Sequence, residues 1–205
     1  MYRLFYSPDA CSLATHTVLN LLDQSPQLAS VNVLDSFAKV NPAKQVPALQ
    51  YGEEVMCEGA AILLYLLNKH ENDLLPANGV QRQHAIENIM FANASMHPAY
   101  SRLFFINNLE LDQETKLILF NAAREHINHL WQVVDQKLRG NAFLGGESVS
   151  AADILLAVYS RWGAYFPVDI PLSERIQAML KNVFALDAFK LALKNEQADQ
   201  KKHGY

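Results

Sequence analysis

Over the first 75 or so residues short strand-like apolar runs alternate with stretches of helical spacing. Arg3-Leu4-Phe5-Tyr6 predicts a strand over residues 2 to 6, and Ser7-Pro8-Asp9-Ala10 turns it into a helix over about 11 to 23. A second strand follows over about 29 to 34. After the phrase NPAKQVPAL come a short hairpin through Tyr51-Gly52 and a helix from Glu58 to His70. The order β-α-β then β-β-α describes a small sheet with helices. Leu74-Leu75-Pro76-Ala77-Asn78-Gly79 carries the Pro and Asn-Gly signals of a linker.

Beyond that linker the spacing is helical throughout. Ile86, Ile89, Met90 and Asn93 open one helix, and Leu117, Phe120, Ala123, Ile127, Leu130, Val134 and Leu138 hold a three-and-four repeat in another. Ile154-Leu155-Leu156-Ala157-Val158-Tyr159 is apolar on most faces, as a central helix is. Its start, Ser150-Ala151-Ala152-Asp153, has the spacing of a capping box. No strand signal returns. The pattern therefore predicts an α/β domain over residues 1 to 76 and an all-helical domain over 77 to 205.

Composition narrows the function classes. Half of the 205 residues are apolar, enough for a substantial core, and the formal net charge is −4 with no lysine- and arginine-rich run. A phosphate-tracking nucleic-acid surface is not expected. The apolar stretches are too short to span a bilayer, and the chain opens directly on a strand pattern. The two cysteines, Cys11 and Cys57, have no metal-type spacing, which suits a reducing compartment, and a cytoplasmic protein is expected. Charge is divided unevenly. Arg3, Lys39, Lys44 and Lys69 are the only cations before residue 77, against eight carboxylates, so an anionic ligand there must rely on backbone N–H groups and a few placed cations.

Three local features carry candidate chemistry. Cys11 stands where a strand turns into a helix, among unpaired N–H groups whose dipoles favour negative charge. Either its own thiol or another thiol held beside it would ionise more readily there; the alternative is a small core cysteine. Pro47 follows Val46 at the mouth of a predicted strand. A cis bond at that point would leave the Val46 N–H and C=O facing outward, able to pair with an extended peptide; an ordinary loop-to-strand turn is the alternative. Glu58-Gly59-Ala60-Ala61 opens a helix whose N–H groups can hold a carboxylate while Glu58 takes an ammonium, or else Glu58 is simply an acidic cap. His126 and His129, three apart, lack a recognisable third ligand, so no metal site is expected.

Together these residues resemble the glutathione transferases. Phe5-Tyr6-Ser7-Pro8-Asp9-Ala10-Cys11-Ser12-Leu13 followed by His16 is similar to the signature of the bacterial beta class. NPAKQVPAL resembles the family's cis-proline segment, and Glu58-Gly59-Ala60-Ala61-Ile62 with Tyr65-Leu66 its γ-glutamyl-binding helix start. The resemblance spans essentially the whole chain. It implies a thioredoxin-like N-terminal domain, an all-α C-terminal bundle, a homodimer, and glutathione as co-substrate without a metal. Carried over by position, it makes Cys11 and His97 the catalytic candidates, with His97 in Phe91-Ala92-Asn93-Ala94-Ser95-Met96-His97 as a donor to the sulfur. It makes Ser12, Lys39, Gln45, Val46, Pro47, Glu58, Gly59 and Asn93 the glutathione-binding candidates, with Asn93 one helical turn before His97.

Three positions depart from the family pattern. Gly59 stands where serine or threonine is usual, Leu34 to Val40 is a shortened connection, and Pro98 replaces a lysine. The resemblance implies attack by the glutathione thiolate on a small apolar electrophile. Two alternatives remain at this point: a thiol-disulfide reductase or peroxidase working through Cys11, and a non-catalytic binding or regulatory protein on the same fold. Cys57 is expected to be a packed residue.

Overall fold

The structure, a computed structural model, describes residues 1–204. It divides into two compact units, one formed by Met1–Asp73 with the segment from Phe184 onward, the other by Leu74–Val183.

The first unit is built on a four-stranded sheet in the order β2-β1-β3-β4. Strand β1 (Tyr2–Tyr6) pairs in parallel with β2 (Gln27–Ser30) and antiparallel with β3 (Ala48–Tyr51), which pairs antiparallel with β4 (Glu54–Cys57). Parallel neighbours need a crossover. Here α1 (Ser12–Leu21) supplies it, and every residue from Ser12 to Leu19 is buried. The second strand stops earlier than alternation alone predicts. The Ser30 side chain accepts from the Asn32 N–H and turns the chain into a 3₁₀ helix over Val31–Val33.

The short connection that follows is not slack. Phe37, in a second 3₁₀ turn over Phe37–Lys39, packs with Phe5, Ala29 and Ala48, and Leu34, Val40, Val46 and Cys57 close round them. Phe5 and Phe37 lie 5.9 Å apart by ring centroid. This seven-residue stretch is thus anchored through three apolar side chains, those of Leu34, Phe37 and Val40, and Cys57 is a packing residue as its context predicts. Helix α2 (Gly59–Lys69) lies against the sheet through Ala60, Ile62, Leu63, Leu66 and Leu67.

The helix at the end of the chain, α8 (Asp187–His203), belongs to this first unit, where strand-or-helix texture alone groups it with the helical half. Phe189, Ala192 and Glu196 form its buried stripe, spaced three and four apart, and it packs on α1.

In the second unit, α3 (Gly79–Phe91) continues through a π turn at Ala92–Met96 into α4 (His97–Asn107). The cause is legible: Pro98 has no N–H, and its ring crowds the carbonyl four residues back. The widened turn absorbs the clash, the His97 N–H reaching back to the Ala92 carbonyl. Helix α5 (Gln113–Leu138) presents the apolar repeat noted above, and all of Ala151–Tyr159 in α6 (Ala151–Ser160) is buried. Helix α7 (Glu174–Ala185) follows a 3₁₀ turn at Arg161–Tyr165 and a loop. The capping box is complete. Ser150 Oγ accepts from the Asp153 N–H, and the Asp153 carboxylate accepts from the Ser150 N–H. Among the described residues no helix is long and apolar enough to cross a membrane.

Candidate functional site

The turn carrying Cys11 is held by its own hydrogen bonds. The Ala10 N–H donates to the Ser7 carbonyl, and Ser12 Oγ both donates to the Ser7 carbonyl at 3.2 Å and accepts from the Ser7 N–H at 3.4 Å. The Ser12 hydroxyl is therefore committed to the turn, and the residue is buried. Cys11 caps α1 in right-handed helical geometry, and the N–H groups of Cys11 and Ser12 point at its sulfur and favour the thiolate. Burial opposes them and wins, pushing the thiol up to about 11, with the Glu58 carboxylate adding to the rise. Of the two thiols that a helix start could ionise, Cys11's own is thus the one kept protonated.

That proton has a partner. Cys11 Sγ donates to the Val46 carbonyl at 3.1 Å. The Val46-Pro47 bond is cis. Both ladders of β3 begin at Ala48, opposite Phe5 on one side and Cys57 on the other, so Val46 lies beyond the sheet's own pairing. The approach to it is shaped by Asn41. This buried side chain donates to the Gln45 carbonyl at 2.7 Å and accepts from the Ala43 N–H at 3.1 Å. Asn41 is a residue the sequence reading missed, although an Asn-Pro turn opener is its signal. Gln45 and Lys39 have exposed side chains, as does Lys44, which takes a left-handed backbone at φ 55°.

Glu58 is exposed and sits at φ 71°, an uncommon conformation for a side-chain-bearing residue. It makes no side-chain cap to α2, so the first-turn N–H groups of Gly59, Ala60 and Ala61 stand without one. A carboxylate is the group those donors suit.

Beneath the Cys11 turn lies a second missed residue. Glu196 on α8 is buried, takes the Asp9 N–H, and stands 3.4 Å from His16 Nδ1. Asp9 occupies a left-handed backbone at φ 58°, two residues before Cys11. Burial raises the Glu196 carboxyl above its usual range, against the His16 contact that lowers it. The signal was a lone glutamate on the apolar stripe of Phe189 and Ala192. Nearby, Tyr6 donates to Asp199 at 2.7 Å.

His97 and Asn93 belong to the helical unit, and both are half-buried. The His97 ring meets Tyr159 edge-on at 5.0 Å and Trp162 at 5.3 Å, and burial lowers its basicity. At neutral pH the imidazole is uncharged and carries one N–H. Because the turn here is π, the residue one turn below His97 is Ala92, and α-helical spacing does not describe Asn93's place beside it. His126 and His129 are both exposed, and among the described residues no cluster of three or more His, Cys, Asp or Glu side chains is placed to hold a metal ion.

Residues 14–74 match the model of the glutathione S-transferase N-terminal domain, and residues 92–187 that of the C-terminal domain. The chain belongs to the glutathione S-transferase family. Among curated relatives, it is similar to glutathione S-transferase GST-4.5 of Xanthomonas campestris pv. campestris, 31% identical over 202 residues covering 95% of this chain and 98% of that one. Among solved structures, it is similar to a sphingomonad glutathione S-transferase complexed with glutathione, at TM-score 0.83 and 30% identity, covering 95% of this chain and 98% of that one. A bacterial beta class glutathione S-transferase from Sphingomonas chungbukensis matches with TM-score 0.82 and 28% identity over 95% and 98% of the two chains. The thioredoxin-like and helical halves of a glutathione S-transferase are thus both present.

Proposed function

We propose that the protein conjugates glutathione to small apolar electrophiles, binding the tripeptide on its first unit. Glutathione's cysteinyl main chain pairs with Val46 beside Pro47, its γ-glutamyl carboxylate takes the N–H groups at Gly59, and its ammonium takes Glu58. Gly59 offers only its backbone, so this contact lacks the hydroxyl usual in the family. Lys39 and Gln45 line the approach as exposed groups for the glycyl end, and Ser12 contributes its N–H rather than its hydroxyl. The N–H groups at the start of α1 stabilise the glutathione thiolate. His97 takes the role that the family resemblance implies for it, a neutral N–H donor, with Asn93 as an accessory polar group. A homodimer in the cytoplasm, working in detoxification, completes the reading.

The single observation that carries it is the Cys11 thiol set against the carbonyl of Val46, a residue beyond the sheet's own pairing, at the point where a tripeptide would add. It also separates conjugation from disulfide exchange. A thiol near 11 is almost wholly protonated at neutral pH, and the thiolate is the attacking form in disulfide exchange. The attacking sulfur is therefore glutathione's.

The test is thermal stabilisation titrated with glutathione, together with turnover of a chlorinated aromatic by wild type and Cys11→Ala. Saturable stabilisation with conjugation retained in the variant is expected. No shift at millimolar glutathione, or complete loss of conjugation in Cys11→Ala, overturns the reading, the second result in favour of a Cys11 mixed disulfide.

A further inference from the structure

One carbonyl has two claimants. On the glutathione reading above, on which this inference rests, an incoming tripeptide docks by giving its cysteinyl N–H to the Val46 carbonyl. In the structure that carbonyl accepts from Cys11 Sγ, at 3.1 Å. We propose that the Cys11 thiol stands in for the ligand's peptide N–H on Val46, yields the carbonyl when glutathione docks, and is thereby released toward the ligand's sulfur, making Cys11 a ligand-triggered positioning residue.

Three features support the exchange. The thiol can donate only while protonated, and burial keeps it so across the neutral range. An S–H is a weaker donor than a peptide N–H, so replacing one by the other on the same oxygen is favourable. The acceptor, meanwhile, is fixed. Val46 packs against the cluster of Phe5, Ala29, Phe37 and Ala48, and the preceding carbonyl of Gln45 is clamped by Asn41. The donor therefore moves, and a cysteine side chain needs only one torsion to do so. No covalent bond changes in this step, and every proton stays on its own atom.

The experiment uses γ-glutamyl-alanyl-glycine, which keeps the glutathione backbone and lacks its sulfur, so that any contact between Cys11 and the ligand sulfur drops out. Its affinity is measured by calorimetry for wild type, Cys11→Ala and Cys11→Ser, with glutathione on wild type as reference. Cys11→Ala removes the competing donor and is expected to tighten binding about two- to fivefold. Cys11→Ser supplies a stronger donor to the carbonyl and is expected to weaken binding by a similar factor. A merely structural role for Cys11 would weaken binding in both variants, and a carbonyl that serves both donors through its two lone pairs would leave all three affinities equal; either result overturns the proposal. Cys11→Ala alone decides it should the serine variant fail to fold. If folded wild type binds neither glutathione nor the analogue, the glutathione reading itself falls and takes the exchange with it. If glutathione binds and the order is absent, only the exchange falls.

Discussion

Asp153→Ala is expected to be among the most damaging single substitutions in the helical unit. Its carboxylate is fully buried and accepts from the Leu144 N–H at 3.0 Å, the Ser150 N–H at 2.8 Å and Ser150 Oγ at 2.6 Å, with the Gly145 N–H also directed at it. It therefore ties the loop before α6 to the first turn of the most buried helix in the unit. Alanine leaves three backbone donors without that acceptor, each costing about 1–3 kcal/mol when buried. Against this stands relief from holding a carboxyl in a dry site, which is why burial raises its pKa. Three such losses total about 3–9 kcal/mol, and setting that relief against them leaves a net cost of about 3–5 kcal/mol, a large share of the roughly 5–15 kcal/mol that holds a typical domain folded. Ser150→Ala breaks only the reciprocal cap and is expected to cost about 1 kcal/mol.

The assay is urea unfolding followed by tryptophan fluorescence. The two tryptophans, Trp131 and Trp162, both lie in the helical unit, so the signal reports the unit that Asp153 holds. The slope should match wild type while the midpoint falls. A loss below about 1 kcal/mol in Asp153→Ala, or an equal loss in Ser150→Ala, refutes the account of Asp153 as the hub of these donors.

Two further outcomes follow from the structure. A Cβ on Gly145 would sit 2.5 Å from the Ser148 carbonyl oxygen, whereas one on Gly163 would meet the far end of the Ile170 side chain at 2.9 Å. Gly145→Ala should therefore lower the melting temperature well beyond Gly163→Ala, and equal shifts would contradict the rigid-backbone argument. For Glu196, burial raises the carboxyl in the folded state above its value in the unfolded chain, so folding binds a proton relatively well. Its contribution is then full at low pH and is lost as pH rises from the ordinary glutamate range through the raised value. Stability measured against pH should decline more over that interval in wild type than in Glu196→Gln; parallel profiles would sink the assignment.

The fold was largely legible because its apolar patterns are clean. The short apolar run Leu4-Phe5-Tyr6, ended by Ser7-Pro8, and the three-and-four repeat from Leu117 to Leu138 each name one structure. The ends of elements were less so. The second strand gives way at Ser30 because a side chain competes with the ladder, and Pro98 reads as a stop until the π turn absorbs it. At the candidate site, Cys11, Val46 and Glu58 were readable, being the residues that meet a turn, a proline and a helix start. Cys11's protonation was not, because it depends on how much neighbouring chain buries the sulfur, which motif spacing does not encode. Asn41 and Glu196 escaped for a related reason: each acts through a backbone group that any residue could supply, so nothing at the receiving position marks it.

That the closing helix packs on the opening one carries a consequence for biosynthesis. As the chain leaves the ribosome, the sheet and α1 emerge first, yet the face of α1 that carries His16 must wait for Glu196 and its neighbours, 180 residues later. The intervening helices can settle in the meantime. The thiol-bearing turn therefore gains its buried backing only after all of Leu74–Val183 has been made.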